Sequence, residues 1–210
     1  MNERRRPSKE IILDKNLRLM FQQLWLTLLK SSHQTLTYLK MKGELFDWNC
    51  DQVPFDLPAL KYLILENTTS EQMVDILQHT PNLRSCHAAL KDQLSNHLTN
   101  KMFFPKMRKF ILLSHFDWSF ENFRRLFSMM PHLKILHIFL YVHKEALDDA
   151  CAWQTLIERY LPQLIQLRLH FIVRYNYQCT YIPKCNLQSF YNDTYWIKRK
   201  SMFTVQAHSI

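Results

Sequence analysis

The chain has 210 residues, room for one ordinary domain or one short repeat array, and 47% of them are apolar, which suits a packed core rather than disorder. A single glycine, Gly43, argues against P-loop and dinucleotide-binding folds, whose phosphate-cradling loops need several glycines for close backbone approach. The formal charge of +9 is scattered apart from Arg4-Arg5-Arg6 and Lys198-Arg199-Lys200, and so reads as a solvated surface before it reads as a nucleic-acid footprint.

In chain order, residues 1–32 form an N-terminal tail and a capping helix. The tail opens with basic residues, but Asp14, Lys15 and Arg18 interrupt the apolar residues behind them, so no signal-peptide core is present. No apolar run is long enough to span a bilayer, and no membrane association is expected. The expected location is cytoplasmic or nuclear, with Arg4-Arg5-Arg6-Pro7-Ser8-Lys9 as a candidate nuclear address. The five cysteines are odd in number and lack C-x-x-C spacing, so they read as thiols in a reducing compartment; Cys179 and Cys185 are the nearest pair. Asn16 to Lys30 has the pattern of a helix before the first repeat.

Residues 33–172 hold about six phased units. One tetrapeptide shape recurs five times: Leu57-Pro58-Ala59-Leu60, Thr80-Pro81-Asn82-Leu83, Phe104-Pro105-Lys106-Met107, Met130-Pro131-His132-Leu133 and Leu161-Pro162-Gln163-Leu164. With its last residue as position 1, positions 4 and 6 are apolar: Leu63 and Leu65, Cys86 and Ala88, Phe110 and Leu112, Leu136 and Ile138, Leu167 and Leu169. A copy without proline stands at Leu36, Leu39 and Met41. The first positions Leu36, Leu60, Leu83, Met107, Leu133 and Leu164 lie 24, 23, 24, 26 and 31 residues apart. Positions 4 and 6 are alternate residues of a short strand, so both face one core, and position 1 enters it from the approach. The proline removes a backbone donor ahead of the strand and stops the preceding helix.

Between strands the apolar spacing becomes helical. Ser70–His79 places Met73, Ile76 and Leu77 on one face, Ser119–Met130 places Phe120, Phe123, Leu126 and Phe127, and Glu145–Tyr160 places Trp153, Leu156 and Ile157. Ser70 and Ser119 are the expected N-caps, and Asp148-Asp149 sits where a helix dipole favours acids.

After residue 172 the period breaks. Residues 173–210 are dense in aromatics and are expected to cap the open end of the array, with 190–196 and 201–205 as a hairpin or two short strands. The alternative is an aromatic patch in which Trp196, beside Lys198, Arg199 and Lys200, stacks on nucleic acid.

One strand and one helix per unit, at a period in the twenties, resembles a leucine-rich repeat. The fold expected from that resemblance is an α/β leucine-rich-repeat solenoid, a short horseshoe of parallel strands with helices on the convex side. The T-P-N-L and L-P-x-L approaches look most like those of F-box-associated leucine-rich-repeat proteins. That resemblance implies a solenoid that captures a substrate protein, and a ubiquitin-ligase scaffold reached through another region or chain. Residues 1–30 offer neither the length of an F-box nor its leucine-proline opening. The usual Asn or Cys three residues past the second core position is replaced, by Thr68 and His115 in two units, so the connections must be satisfied in another way.

Positions 3, 5 and 7 point away from the core. The row at position 5 reads Lys40, Ile64, His87, Ile111, His137, Arg168, and the row at position 7 reads Lys42, Glu66, Ala89, Leu113, Phe139, His170; Tyr38 and Tyr62 stand at position 3. An apolar centre with a charged rim is the composition of a protein-binding face. The expected partner is therefore a protein on the concave face, contacted by Tyr38, Tyr62, Ile64, His87, Ile111, Leu113, His137, Phe139, Arg168 and His170. Tyr62, Phe139 and Arg168 are the expected anchors, since Tyr and Arg are favoured there. A competing reading buries Ile64, Ile111 and Leu113 under a loop.

Catalytic chemistry is not expected. No G-x-S-x-G elbow, H-E-x-x-H or H-x-x-x-H spacing occurs, and no cysteine has a catalytic context. No cofactor or metal is expected, and nucleic acid is the alternative partner rather than the first choice.

Overall fold

The computed structural model describes residues 20, 23–24, 26–42, 56–92, 103–116, 118–142, 149–173 and 187–209. Seven strands lie in them: β1 (Tyr38–Lys42), β2 (Tyr62–Thr68), β3 (Ser85–Leu90), β4 (Lys109–Ser114), β5 (Ile135–Val142), β6 (Gln166–Val173) and β7 (Phe203–Ser209). Helical residues 26–32 (α1) precede β1. Helices α2 (Ser70–Gln78), α3 (Phe120–Ser128) and α4 (Ala150–Tyr160) follow β2, β4 and β5, and the short α5 (Gln188–Asn192) and α6 (Thr194–Lys198) precede β7.

All seven strands form one parallel sheet, and their order in the sheet is their order in the chain. The register is the phase of the sequence repeat. Leu39 pairs with Leu63, Leu63 with Cys86, Cys86 with Phe110, Phe110 with Leu136 and Leu136 with Leu167, so every position 4 lies beside the next. Positions 1, 4 and 6 are buried in β2 through β5, forming one continuous core between the sheet and the helices.

The proline tetrapeptides turn out to be turns. In each of the five, the amide of the last residue donates to the carbonyl of the first, at 3.0–3.2 Å, as in Leu60 to Leu57 and Leu133 to Met130. Proline therefore occupies the second place of a four-residue turn, where its fixed φ is preferred. The turn feeds a ladder in which each position-2 carbonyl accepts two amides from the next unit: Lys61 and Tyr62 donate to Thr37, Arg84 and Ser85 to Lys61, and Arg108 and Lys109 to Arg84.

Helix α2 is capped by Thr69, one residue before the expected Ser70. The Thr69 hydroxyl accepts from the Gln72 amide at 3.1 Å, and the Gln72 side chain accepts from the Thr69 amide at 3.0 Å. Ser70 is the first helical residue and its amide donates to Asp92 Oδ1 at 2.7 Å. Ser119 caps α3 as expected, with Asn122 closing the box. Asp149 caps α4 by accepting from the Cys151 and Ala152 amides, a direct hydrogen-bonding role beyond the dipole; Asp148 lies outside the described residues.

The buried faces of α3 and α4 meet in an aromatic cluster. Phe123 lies 4.9 Å from Trp153, 5.0 Å from Trp118 and 5.6 Å from Phe127, measured between ring centroids.

Of the hairpin or two short strands expected in the C-terminal segment, the second strand is present and the first is replaced by helices. Residues 188–192 and 194–198 are helical, and Phe203–Ser209 joins the sheet parallel to β6, pairing Phe203 with Leu167 and Val205 with Leu169. A parallel partner is the result because the chain returns through helices rather than a tight turn. Trp196 is buried, with Phe190 at 4.7 Å and Phe203 at 5.9 Å, and its indole N–H donates to the Ala150 carbonyl at 3.3 Å. It is thus a core residue and offers no face for base stacking. Cys179 and Cys185 lie outside the described residues.

Candidate functional site

The two faces of the sheet differ in cover. At positions 4 and 6 the side chains of β1 to β6 are buried. At positions 3, 5 and 7 every described side chain is half-buried or exposed. Parallel sheets are ordinarily covered on both faces, because crossovers lay helices over them. Among the described residues the helices contribute to one side only, and no described element covers the other face, which is six or more strands wide.

All ten residues singled out from the sequence lie on that face. Tyr38 pairs with Tyr62 in register, and both are about half exposed, at 51% and 50%. Position 5 forms an unbroken row, Ile64 beside His87, His87 beside Ile111, Ile111 beside His137 and His137 beside Arg168. At position 7, Leu113 pairs with Phe139 and Phe139 with His170. Ile64, Ile111, Leu113 and Phe139 are half-buried rather than sealed, and Arg168 is exposed.

The position-7 row is broken at one place. Register shifts by one residue between Leu65 and Thr68, so that Thr68 pairs with Leu90. Asn67 supplies the extra residue with φ 57°, a left-handed conformation that Asn tolerates better than most side chains. The bulge carries Thr68 into the core, 3% exposed, level with Leu90. Glu66 consequently does not pair with Ala89; its carboxylate meets Lys40 Nζ instead, at 2.7 Å across β1 and β2. That hydrogen bond holds the Glu66 carboxyl below and the Lys40 ammonium above their ordinary pKa values.

At the missing asparagine positions, Thr68 buries its hydroxyl without a hydrogen-bond partner among the described residues, whereas in the β4 unit the residue before His115 serves the connection. Ser114 accepts from the Phe116 amide at 3.2 Å and from the Trp118 indole N–H at 2.9 Å. His115 stacks on Tyr141 with centroids 4.2 Å apart, which extends the open face beyond position 7. Neither this stack nor that of Phe139 on His170 is among the sequence-based expectations. Both result from equal phase in adjacent units, a signal the rows already contain.

Two histidines stand amid the apolar side chains. Burial, then Lys109 and Lys40, lowers the pKa of His87, against an opposing pull from Glu66. Burial, then Arg168, Lys109 and His170, lowers that of His137. Both rings therefore favour the neutral form. The Nε2 atom of His137 is buried and has no hydrogen-bond partner among the described residues.

Among the described residues no three His, Cys, Asp or Glu side chains are grouped to hold a metal ion, and no helix is long and apolar enough to cross a membrane. Comparison with known proteins finds no matching family model, no matching curated protein and no matching solved structure.

Proposed function

We propose that the chain is a short leucine-rich-repeat solenoid, a horseshoe whose open sheet face holds a protein partner. The observation that carries this reading is a parallel sheet that no described element covers on one side, with Ile64, Ile111, Leu113 and Phe139 clustered at its middle and Lys40, Lys42, Arg168 and His170 towards its ends. Apolar centre and charged rim are the usual anatomy of a protein interface. Tyr62, Phe139 and Arg168 are the anchors, and a donor or acceptor from the partner would satisfy His137 Nε2. The resemblance to F-box-associated repeat proteins extends the proposal: the captured protein is a substrate for ubiquitination, and the ligase scaffold is reached through another region or chain.

Capture by the native chain, by the Ile111→Asp/Phe139→Asp variant and by a charge-reversed control at Lys198 and Arg199 tests the assignment. Loss of the partner in the first variant alone supports the open face. Retention of the partner by a folded double variant sinks it. Nucleic-acid binding, the competing reading, predicts association that collapses steeply with added salt as condensed counterions are released.

A further inference from the structure

The basic residues that look scattered in the sequence form a line in space. Position 2 of successive units is Lys61, Arg84, Arg108 and Lys134, and all four are exposed. The ladder sets them side by side, since the carbonyls of Lys61, Arg84 and Arg108 accept the amides that open the next strand at 2.8–3.0 Å. The line is bounded by Thr37 in the first unit and Ile165 in the sixth. Lys106 and Lys109 thicken it around Arg108. None of these six cations makes an ion pair with a described residue. The described acids largely lie elsewhere, Glu71, Asp75, Glu121 and Glu158 being on helices α2, α3 and α4. Among the described residues the strand-start rim is therefore a strip of positive charge whose one nearby acid, Asp56, is engaged by His79.

We propose that this rim docks an acidic helical segment of a partner protein. The dimensions favour a helix. Strands stack about 4.8 Å apart, so the three intervals from Lys61 to Lys134 span about 14 Å. Carboxylates alternately three and four residues apart on a helix cover the same three intervals in ten residues, about 15 Å at 1.5 Å per residue. An extended peptide offers same-side groups about 6.7 Å apart, so its fourth carboxylate lies about 20 Å from its first and overshoots the row. A nucleic-acid duplex presents a charge about every 1.7 Å of axis over a broad cylinder. The strip is only one to three residues wide, with Ser85 and Ile135 on one side and Ala59 and Asn82 on the other. Arg108 is held in place, its guanidinium donating to the carbonyls of Pro105 at 3.3 Å and His132 at 3.0 Å, and Lys106 donates to the Asn82 side chain. Those contacts leave guanidinium and ammonium protons free to meet a ligand.

Fluorescence anisotropy of the full chain at low salt tests the strip. The probes are a labelled alanine-rich helical peptide with glutamates alternately three and four residues apart, a peptide of the same composition with glutamates spread round the helix, and a mixed-sequence single-stranded oligonucleotide. The Lys61→Glu/Arg84→Glu/Lys134→Glu variant, which spares Arg108, lowers affinity for the registered peptide by about tenfold or more. A control with the same change in net charge, Lys42→Glu/Lys91→Glu/Lys198→Glu, keeps it, and so does Ile111→Asp on the open face. Circular dichroism verifies folding, and the milder Lys61→Gln/Arg84→Gln/Lys134→Gln variant replaces the reversal if that misfolds. Equal binding by the strip variant, equal loss in the control, or equal affinity for both peptides overturns the proposal. Tighter binding of the oligonucleotide, lost in the strip variant, overturns it too and reassigns the rim to nucleic acid.

Discussion

The phenyl ring of Phe139 lies flat on the imidazole of His170, with centroids 4.5 Å apart and planes 11° from parallel. They are register partners on β5 and β6, so the sheet itself fixes the stack. It holds Phe139 in a defined orientation on this face, so that binding of the proposed partner there would carry little further entropic cost. Phe139→Ala is expected to weaken partner binding by about 2 kcal/mol, the scale of an interface anchor, while His170→Ala weakens it less by loosening the stack. Titration calorimetry with the captured partner checks both.

Acid should destabilise the fold before it protonates most carboxylates. Burial and neighbouring cations hold the pKa values of His87 and His137 below the ordinary 6.5. As pH falls, the unfolded chain takes up these protons first. The stability contributed by the two neutral rings is complete above about pH 6.5 and is lost as pH drops towards the depressed values. Urea midpoints measured from about pH 7.5 down to 5.5 should fall, and His87→Gln/His137→Gln should flatten the slope. An unchanged slope in that variant would remove these histidines from the account.

The two described thiols should differ sharply in reactivity. Cys86 lies in the core at position 4 of β3, and burial pushes its pKa up to about 12. Cys151 is exposed on the first turn of α4. Alkylation of the native chain, with peptide mapping of the products, should label Cys151 and leave Cys86 untouched until denaturant is added, because only the thiolate reacts.

Removing a capping hydroxyl should cost about 1 kcal/mol at either of two sites. Thr69→Ala and Ser119→Ala each leave an amide at the helix start without its acceptor, Gln72 in one case and Asn122 in the other. Denaturation midpoints of the two single variants and of the double variant check the size and the additivity expected of separate helices.

Deleting the indole at position 153 should be far more damaging. Trp153 is fully buried and touches the rings of Phe120 and Phe123 at 5.5 and 4.9 Å. Trp153→Ala should cost about 3–5 kcal/mol, through lost transfer energy and an unfilled cavity. Loss of near-ultraviolet dichroism ahead of the far-ultraviolet signal would show the cluster loosening before the sheet.

Phase is the legible part of this sequence. Core positions such as Leu63, Cys86 and Phe110 can be placed because burial has the same period as the repeat, and the open-face rows come directly from alternation. The proline tetrapeptide is visible, but its turn is less so, because the missing N–H of proline suits a strand approach as well as it suits the second turn position. Ser70 competes with Thr69 for the cap of α2, and what separates them is that a threonine three residues before Gln72 has the spacing of a capping box. The bulge at Asn67 has only the weak signal of an asparagine one residue too early. The tail misleads because Phe190, Tyr195 and Trp196 have strand-favouring side chains, whereas tertiary burial in the cluster with Ala150 and Phe203 sets them on helices. The rim of Lys61, Arg84, Arg108 and Lys134 is hidden when charge is counted along the chain and emerges only when it is counted by phase.

A sheet whose strands follow chain order has no shortcut between distant parts. Each strand is hydrogen-bonded only to its predecessor and successor, so stability is close to a sum of local and nearest-neighbour contributions. Damage at Trp153 in α4 should pass first to α3, whose Phe120 and Phe123 it touches, and from there unit by unit towards β1. Hydrogen exchange should accordingly grade inward from β1 and β7, with melting that advances like an unzipping rather than a single collapse.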